Sequence, residues 1–157
     1  MDFSRELVQI GKKKVESACL QDLVTFSEGN AESLPYQDGQ FDAITITFGL
    51  RNVHDRLKAL QEFYRVAKQG GCFVCLEFSQ PVNPLFSKLY FFYLMKLAPL
   101  VSRVLGSDPA AYQYLGNTIK DFPPPNELAG LIQSAGWKRV SYTRLSGGIV
   151  AIHRGRK

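Results

Sequence analysis

Between Phe41 and Val53 the chain runs FDAITITFGLRNV, an apolar, β-branched and aromatic block that ends abruptly in polar side chains. Residues 43–48 lack strong polar alternation, the pattern of a central parallel strand covered on both faces. Upstream, Leu7, Ile10 and Val15 fall on one side of a helical pattern that Ser4 is placed to cap. A strand is predicted at 23–27, before the turn-like Glu28-Gly29-Asn30-Ala31, and Pro35 and Asp38-Gly39 mark a loop. Residues 54–68 are amphipathic, with Leu57, Leu60, Phe63, Tyr64 and Ala67 near helical spacing. Gly70-Gly71 reads as the stop of that helix, and 72–78 as the next strand. The order strand–helix–strand predicts a doubly wound α/β sheet in one domain over 1–157.

After Pro81 the character changes. Residues 84–106, PLFSKLYFFYLMKLAPLVSRVLG, are aromatic and aliphatic, interrupted by Lys88, Lys96 and Arg103, with Pro99 set to kink a helix. A span needs ~20 mostly uncharged apolar residues, so these three cations argue against crossing a bilayer. A helix lying on a membrane surface, a cap over an oily pocket, and ordinary core or dimer packing all fit the pattern. Phe122-Pro123-Pro124-Pro125 predicts a rigid turn, with Asn126 capping a helix that runs to Ala135. The tail reads as a hairpin of strands 139–145 and 148–153 joined at Ser146-Gly147-Gly148.

Charge is uneven. Residues 1–80 carry 9 basic and 11 acidic groups, whereas 81–157 carry 10 and 3. A basic half fits an anionic surface or a merely solvated face. Three cysteines, Cys19, Cys72 and Cys75, suit a reducing compartment rather than a disulfide scaffold. Cys72 and Cys75 form C-x-x-C inside a strand, where positions three apart point to opposite faces, so both read as core rather than as metal ligands. No metal site is expected. The N-terminus has no long apolar block of the signal-peptide kind.

In open α/β sheets ligands bind beyond the carboxyl ends of the strands. Arg51 and Asn52 follow such an end directly, which makes them the first candidates for chemistry.

Several stretches now carry a resemblance. Residues 65–79, RVAKQGGCFVCLEFS, resemble the second signature of the ubiquinone/menaquinone-biosynthesis C-methyltransferases (UbiE/MenG), with Gln69 where that signature usually has proline. FGLRNV at 48–53, GNAESLP at 29–35 and the ending GIVAIHRGRK match in the expected order, and LYFFY with the DFP at 121–123 looks most like the menaquinone branch. The resemblance implies a class I, Rossmann-like S-adenosylmethionine-dependent methyltransferase fold. It also implies methyl transfer from S-adenosylmethionine to a ring carbon of a polyprenylated quinol.

Carried over position by position, Asp2 resembles the acid that accepts hydrogen bonds from both ribose hydroxyls. Asn30 and Ala31 resemble the pair beside the adenine ring, and Thr47 a position near the cofactor. Read without the resemblance, Asp2 is a surface charge, Asn30 a turn residue and Thr47 a half-buried strand position. Arg51 is the candidate for stabilising a phenolate, Asn52 for orienting the hydroxyl, and His54 for accepting its proton. His54 is otherwise a helix-start surface residue. Tyr90, Tyr93 and Tyr112 are candidates for lining a quinone channel, with core or interface packing as the alternative. Glu77 is a candidate wall of the site, and a carboxylate beneath Arg51 would hold its guanidinium.

The implied partners are the quinol, a membrane surface bound peripherally and a second copy of the chain, with no nucleic acid. The implied location is cytoplasmic, at the inner face of a membrane. The family's glycine-rich loop and first strand have no counterpart here, and Gly70-Gly71 and Gly147-Gly148 lack the G-x-G-x-G spacing. The expectation is therefore the C-terminal two-thirds of such an enzyme, truncated at its N-terminus. Two functions follow: a quinol C-methyltransferase, or a non-catalytic remnant that self-associates or binds membrane through 84–106.

Overall fold

The 41–53 block does form a strand and a turn, and the rest of the sheet is built outward from it on one side. In the computed structural model, which describes residues 1–104 and 108–157, the chain contributes four strands. They are β1 (Phe41–Thr47), β2 (Ala67–Phe78), β3 (Lys138–Leu145) and β4 (Val150–Arg156). Their order is β1-β2-β4-β3, with β1 parallel to β2 and the β3–β4 hairpin antiparallel. The helices are α1 (Arg5–Ser17), α2 (Arg56–Val66), α3 (Pro84–Phe92), α4 (Ala98–Val104), α5 (Pro109–Lys120) and α6 (Pro125–Ser134).

Side-chain alternation sorts the sheet. Phe73, Cys75 and Glu77 of β2 and Ala151, His153 and Gly155 of β4 are buried on one face, under α2 and α6. Phe73 stacks on Trp137 at 5.0 Å, and the Trp137 indole donates to Leu60 O at 3.2 Å. Cys72 and Cys75 take opposite faces as the alternation requires, and all three thiols are free. Burial, with the charge of Glu77 adding to it, pushes the Cys75 thiol up to about 12, which leaves it inert.

The structure corrects several expectations. β1 is not a doubly covered central strand. Asp42, Ala43, Thr45 and Thr47 are exposed, and among the described residues only β2 pairs with it. Residues 23–27 form no strand. A strand exists through its partner, and among the described residues the only ladder-like pairing near this segment is the isolated bridge of Asp2 with Glu28, where the Asp2 N–H donates to Ser27 O at 3.1 Å and Gly29 N donates to Asp2 O at 3.0 Å. Ser4 does cap α1, accepting from Leu7 N. The helix, however, buries Val8 and, over Phe26, Gly11, rather than Leu7 and Ile10, which stay exposed.

Gly70-Gly71 does not end α2. The helix stops at Val66 and passes straight into β2, where the glycines sit in a bulge opposite Asp42. Gly70 has φ +78°, and a Cβ on Gly71 would collide with Lys68 O, so the pair serves the bulge instead. α6 begins on Pro125 at its first turn, with Pro124 at the cap position and Asn126 inside the helix. Pro99 is accommodated by a π turn at Tyr93–Leu97 rather than a break, so the helical run from Pro84 to Arg103 is continuous. Leu105 and Gly106, the end of the apolar run, lie outside the described residues.

Candidate active site

The site is assembled where β1 stops. Phe48 still donates its N–H to Leu76 O at 2.9 Å, then takes φ +52° and turns the chain out of the sheet. Its ring stacks on Phe78 at 4.5 Å, which offsets the ~1–2 kcal/mol that a left-handed L-residue costs. A 3₁₀ turn, Leu50–Asn52, follows, with Leu50 as a fully buried plug, and Asp55 caps α2 by accepting from Lys58 N. This geometry throws Arg51 to one side and Asn52 to the other.

Arg51 turns inward. Its Nη1 donates to Glu77 Oε1 at 2.8 Å and to Phe48 O, its backbone N–H donates to Glu77 Oε2 at 3.2 Å, and its guanidinium lies 5.2 Å from the Phe78 ring centroid. Its Nε is buried without a partner. Glu77, which ends β2 one strand over, is buried and also accepts from Phe78 N at 2.8 Å. Tyr90 of α3 feels the Arg51 charge. Burial raises its phenol above the ordinary value, and Arg51 partly opposes that rise.

Asn52 faces a cleft of about 1080 Å³ along the open side of β1. Asp2, Asn30, Ala31, Thr47 and His54 line the same cleft. Ligand sites usually enclose ~300–1,000 Å³, so the space accepts a nucleoside-sized molecule with room beyond it. Asp2 spends Oδ1 on Ser4 N at 2.8 Å. The Asn30 carbonyl oxygen accepts from Glu32 N at 2.9 Å, closing the turn that presents Ala31. That loop is stapled to α2. Arg65 donates to Leu34 O, Tyr36 O and Asp38, and its fork pairs with Glu62, which in turn accepts from Leu34 N at 2.8 Å. The Arg65 hydrogen bond holds the Glu62 carboxyl below the usual range, and the same pair raises Arg65.

The structure therefore gathers six of the predicted site residues around one cavity, leaves Arg51 outside its lining and Tyr90 half-buried on α3, and leaves Tyr93 and Tyr112 exposed on the outer helices. The tyrosine that does reach the site is Tyr114, whose hydroxyl donates to Asn52 Oδ1 at 3.0 Å. Tyr112, the candidate from the sequence, makes no such bond and is exposed. Two residues apart on a helix, they face nearly opposite ways.

Acceptor, amide and small side chain at the open edge of a parallel strand pair are the donor set that an adenosine group needs. Solved structures that share this fold include methyltransferases. A SAM-dependent methyltransferase from Thermotoga maritima superposes with TM-score 0.67 at 20% identity, covering 99% of this chain and 70% of its own. One from Aquifex aeolicus superposes with TM-score 0.66 at 18% identity, covering 98% and 65%. The fold is that of the class I S-adenosylmethionine-dependent methyltransferases. The family described as ubiE/COQ5 methyltransferase matches residues 1–157, and the chain belongs to it.

Similar proteins include the mitochondrial 2-methoxy-6-polyprenyl-1,4-benzoquinol methylase of Danio rerio, 44% identical over 99% of this chain and 48% of the relative. The ubiquinone/menaquinone biosynthesis C-methyltransferase UbiE of a Bradyrhizobium species is 45% identical over 98% and 61%. The demethylmenaquinone methyltransferase of Paenarthrobacter aurescens is 44% identical over 99% and 59%. The chain thus spans about half to three-fifths of the curated relatives it matches.

Proposed function

We propose that the protein C-methylates a polyprenylated quinol in quinone biosynthesis, with demethylmenaquinol the substrate and S-adenosylmethionine the donor, working at the inner face of a membrane. One observation carries this reading: Asp2, Asn30, Ala31, Thr47, Asn52 and His54, from four separate segments, line a single cleft at the carboxyl end of β1.

Asp2 has a carboxylate oxygen to spare for vicinal hydroxyls, the Asn30 amide and the Ala31 backbone suit a purine edge, and Thr47 offers a hydroxyl beside them. S-adenosylmethionine, when bound, supplies a methyl group already activated as a sulfonium. What remains for the protein is alignment and charge. Holding two reactants in line is worth ~7–11 kcal/mol. Arg51, oriented by Glu77 and not itself lining the cleft, stabilises through its field the negative charge that develops on the quinol oxygen. Asn52, its carbonyl taken by Tyr114, turns its amide N–H groups toward the cleft and donates to that oxygen. His54 accepts the hydroxyl proton, directly or through water. Tyr90, half-buried on α3, contributes to the quinol side.

Titration calorimetry with S-adenosylmethionine, followed by transfer of labelled methyl to a demethylmenaquinol, tests the reading. Heat of binding with methyl incorporation supports it. A second reading, a non-catalytic chain that self-associates, is favoured by the outer edge of β1, which has no strand partner among the described residues. No cofactor binding, together with concentration-dependent association, selects that one.

A further inference from the structure

The last turn of α2 is held from two sides. The final carbonyls of a helix have no partner within it, and here they are met from outside. Gly39 N donates to Arg65 O at 3.0 Å and Gln40 N to Val66 O at 2.7 Å, so the chain entering β1 closes one side. Lys157, one residue past β4, closes the other. Its Nζ donates to Tyr64 O at 2.7 Å, to Ala67 O at 2.9 Å and to Arg65 O at 3.3 Å. An ammonium has three N–H donors, and all three end on carbonyls. The same Nζ lies 4.6 Å from the Tyr64 ring centroid, and among the described residues Lys157 pairs with no carboxylate. Its backbone is fixed as well, donating to Gly71 O at 3.0 Å and accepting from Gly70 N at 3.2 Å. A lysine that merely aids solubility extends into water. This one is committed to the negative end of a helix dipole.

We propose that Lys157 is a positioning residue for the cofactor end of the cleft, acting through the last turn of α2 on the loop that presents Asn30 and Ala31. Arg65, within that turn, and Glu62, just before it, hold Leu34 and Tyr36. Leu34 and Tyr36 line the cleft together with Asn30 and Ala31, whereas Lys157 lines no part of it. Removing the ammonium strips three carbonyls of a charge-assisted donor and lets the turn fray. The Arg65 fork then moves with its own backbone, and the loop loses its resting place while the β2–β4 ladder stays paired. The effect on cofactor rests on the reading of the cleft as an S-adenosylmethionine site. The mechanical link from Lys157 to Leu34 does not.

The full chain and its variants are compared by titration calorimetry with S-adenosylmethionine and by hydrogen exchange without it. Lys157→Met keeps the stem and removes the donors. It is expected to weaken cofactor binding about fivefold or more and to speed exchange at the Leu34 amide more than at the amides of β2, which report global opening. Lys157→Arg, which keeps a charged donor, is expected to recover most of both. Lys138→Met, which removes an exposed charge from β3, should change neither. Lys157→Gln, which retains two donors, is read in the same way where Lys157→Met does not fold. Exchange that rises equally at Leu34 and in β2, or at neither, overturns the proposal, because Lys157 then acts on stability alone or not at all. So does a freed Leu34 with undiminished cofactor affinity. A parent chain that takes up no S-adenosylmethionine sinks the methyl-transfer reading instead, and exchange at Leu34 alone then decides whether Lys157 sets the loop.

Discussion

Arg51 and Glu77 form an ion pair of 2.8 Å across the tips of two neighbouring parallel strands, with side chains only 11% and 1% exposed. A carboxylate that deep is tolerable because three donors meet it: Arg51 Nη1, Arg51 N and Phe78 N. The pair therefore fixes the guanidinium and the 3₁₀ turn together. Removing one member strands the other in a dry site, which costs ~3–5 kcal/mol, whereas replacing both by apolar groups of similar volume is often near neutral. Glu77→Leu and Arg51→Met are each expected to lower the urea midpoint sharply, and the double variant to recover most of it. In methyl-transfer assays Arg51→Met should depress turnover far more than cofactor affinity. Equal losses in both would take Arg51 out of the chemistry.

Tyr114 bridges 62 positions of sequence to reach Asn52. Its hydroxyl holds the carbonyl end of the amide, which leaves the two amide hydrogens for the cleft. Tyr114→Phe removes one neutral, partly solvated hydrogen bond, worth ~0.5–1.5 kcal/mol, so the melting temperature should fall only slightly. The freed amide can then flip and present the wrong end to the quinol oxygen. KM for quinol is expected to rise by roughly tenfold or less, with the S-adenosylmethionine affinity unchanged. A fall in cofactor affinity of the same size would place Tyr114 in general packing instead.

What the sequence shows and hides follows from whether a signal is local. The β-branched run in β1, the C-terminal hairpin and the amphipathic α2 declare themselves within ten or twelve residues, and all three form. Residues 23–27 have the composition of a strand but not the neighbour, and composition does not report neighbours. Gly70-Gly71 misleads because a glycine pair looks the same whether it ends a helix or opens a bulge. At the site, the polar pair after β1 is legible because strand ends have a fixed chemical meaning in parallel sheets. The Arg65 staple is not, since its carbonyl partners Leu34 and Tyr36 are backbone groups that no side-chain pattern encodes.

His153 gives the fold a pH dependence. It is buried between Tyr142 and α6, and its Nε2 lies 2.9 Å from Pro125 O, which can only accept, so the ring carries its proton there. Nδ1 is buried with no partner. Burial lowers the pKa below 6.5, the Pro125 bond only partly opposing it. The unfolded chain then binds the proton more readily than the folded one, so stability rises with pH through this window. The contribution is present above 6.5 and is lost as pH falls below it, toward the folded-state value. Urea midpoints measured across that range should decline on acidification. His153→Phe should flatten the slope, although it lowers stability overall by removing the Pro125 bond.

Arg65 ties the loop carrying Asn30 and Ala31 to α2 through a guanidinium that satisfies two carbonyls and two carboxylates at once. Lysine keeps the charge but has neither the planar fork nor the number of donors, so Arg65→Lys is not conservative here. The site is about a third exposed, so the ion pairs themselves contribute little. The bonds to Leu34 O and Tyr36 O matter more, because they decide where the loop rests. Arg65→Lys is expected to cost about 1–2 kcal/mol in global stability but to speed hydrogen exchange at the Leu34 amide well beyond that global change. If the loop positions the adenosine end of the cleft, cofactor affinity should fall in step with the loss of protection at Leu34. A variant with a freely exchanging loop and undiminished affinity would show that Asn30 and Ala31 do not hold the ligand.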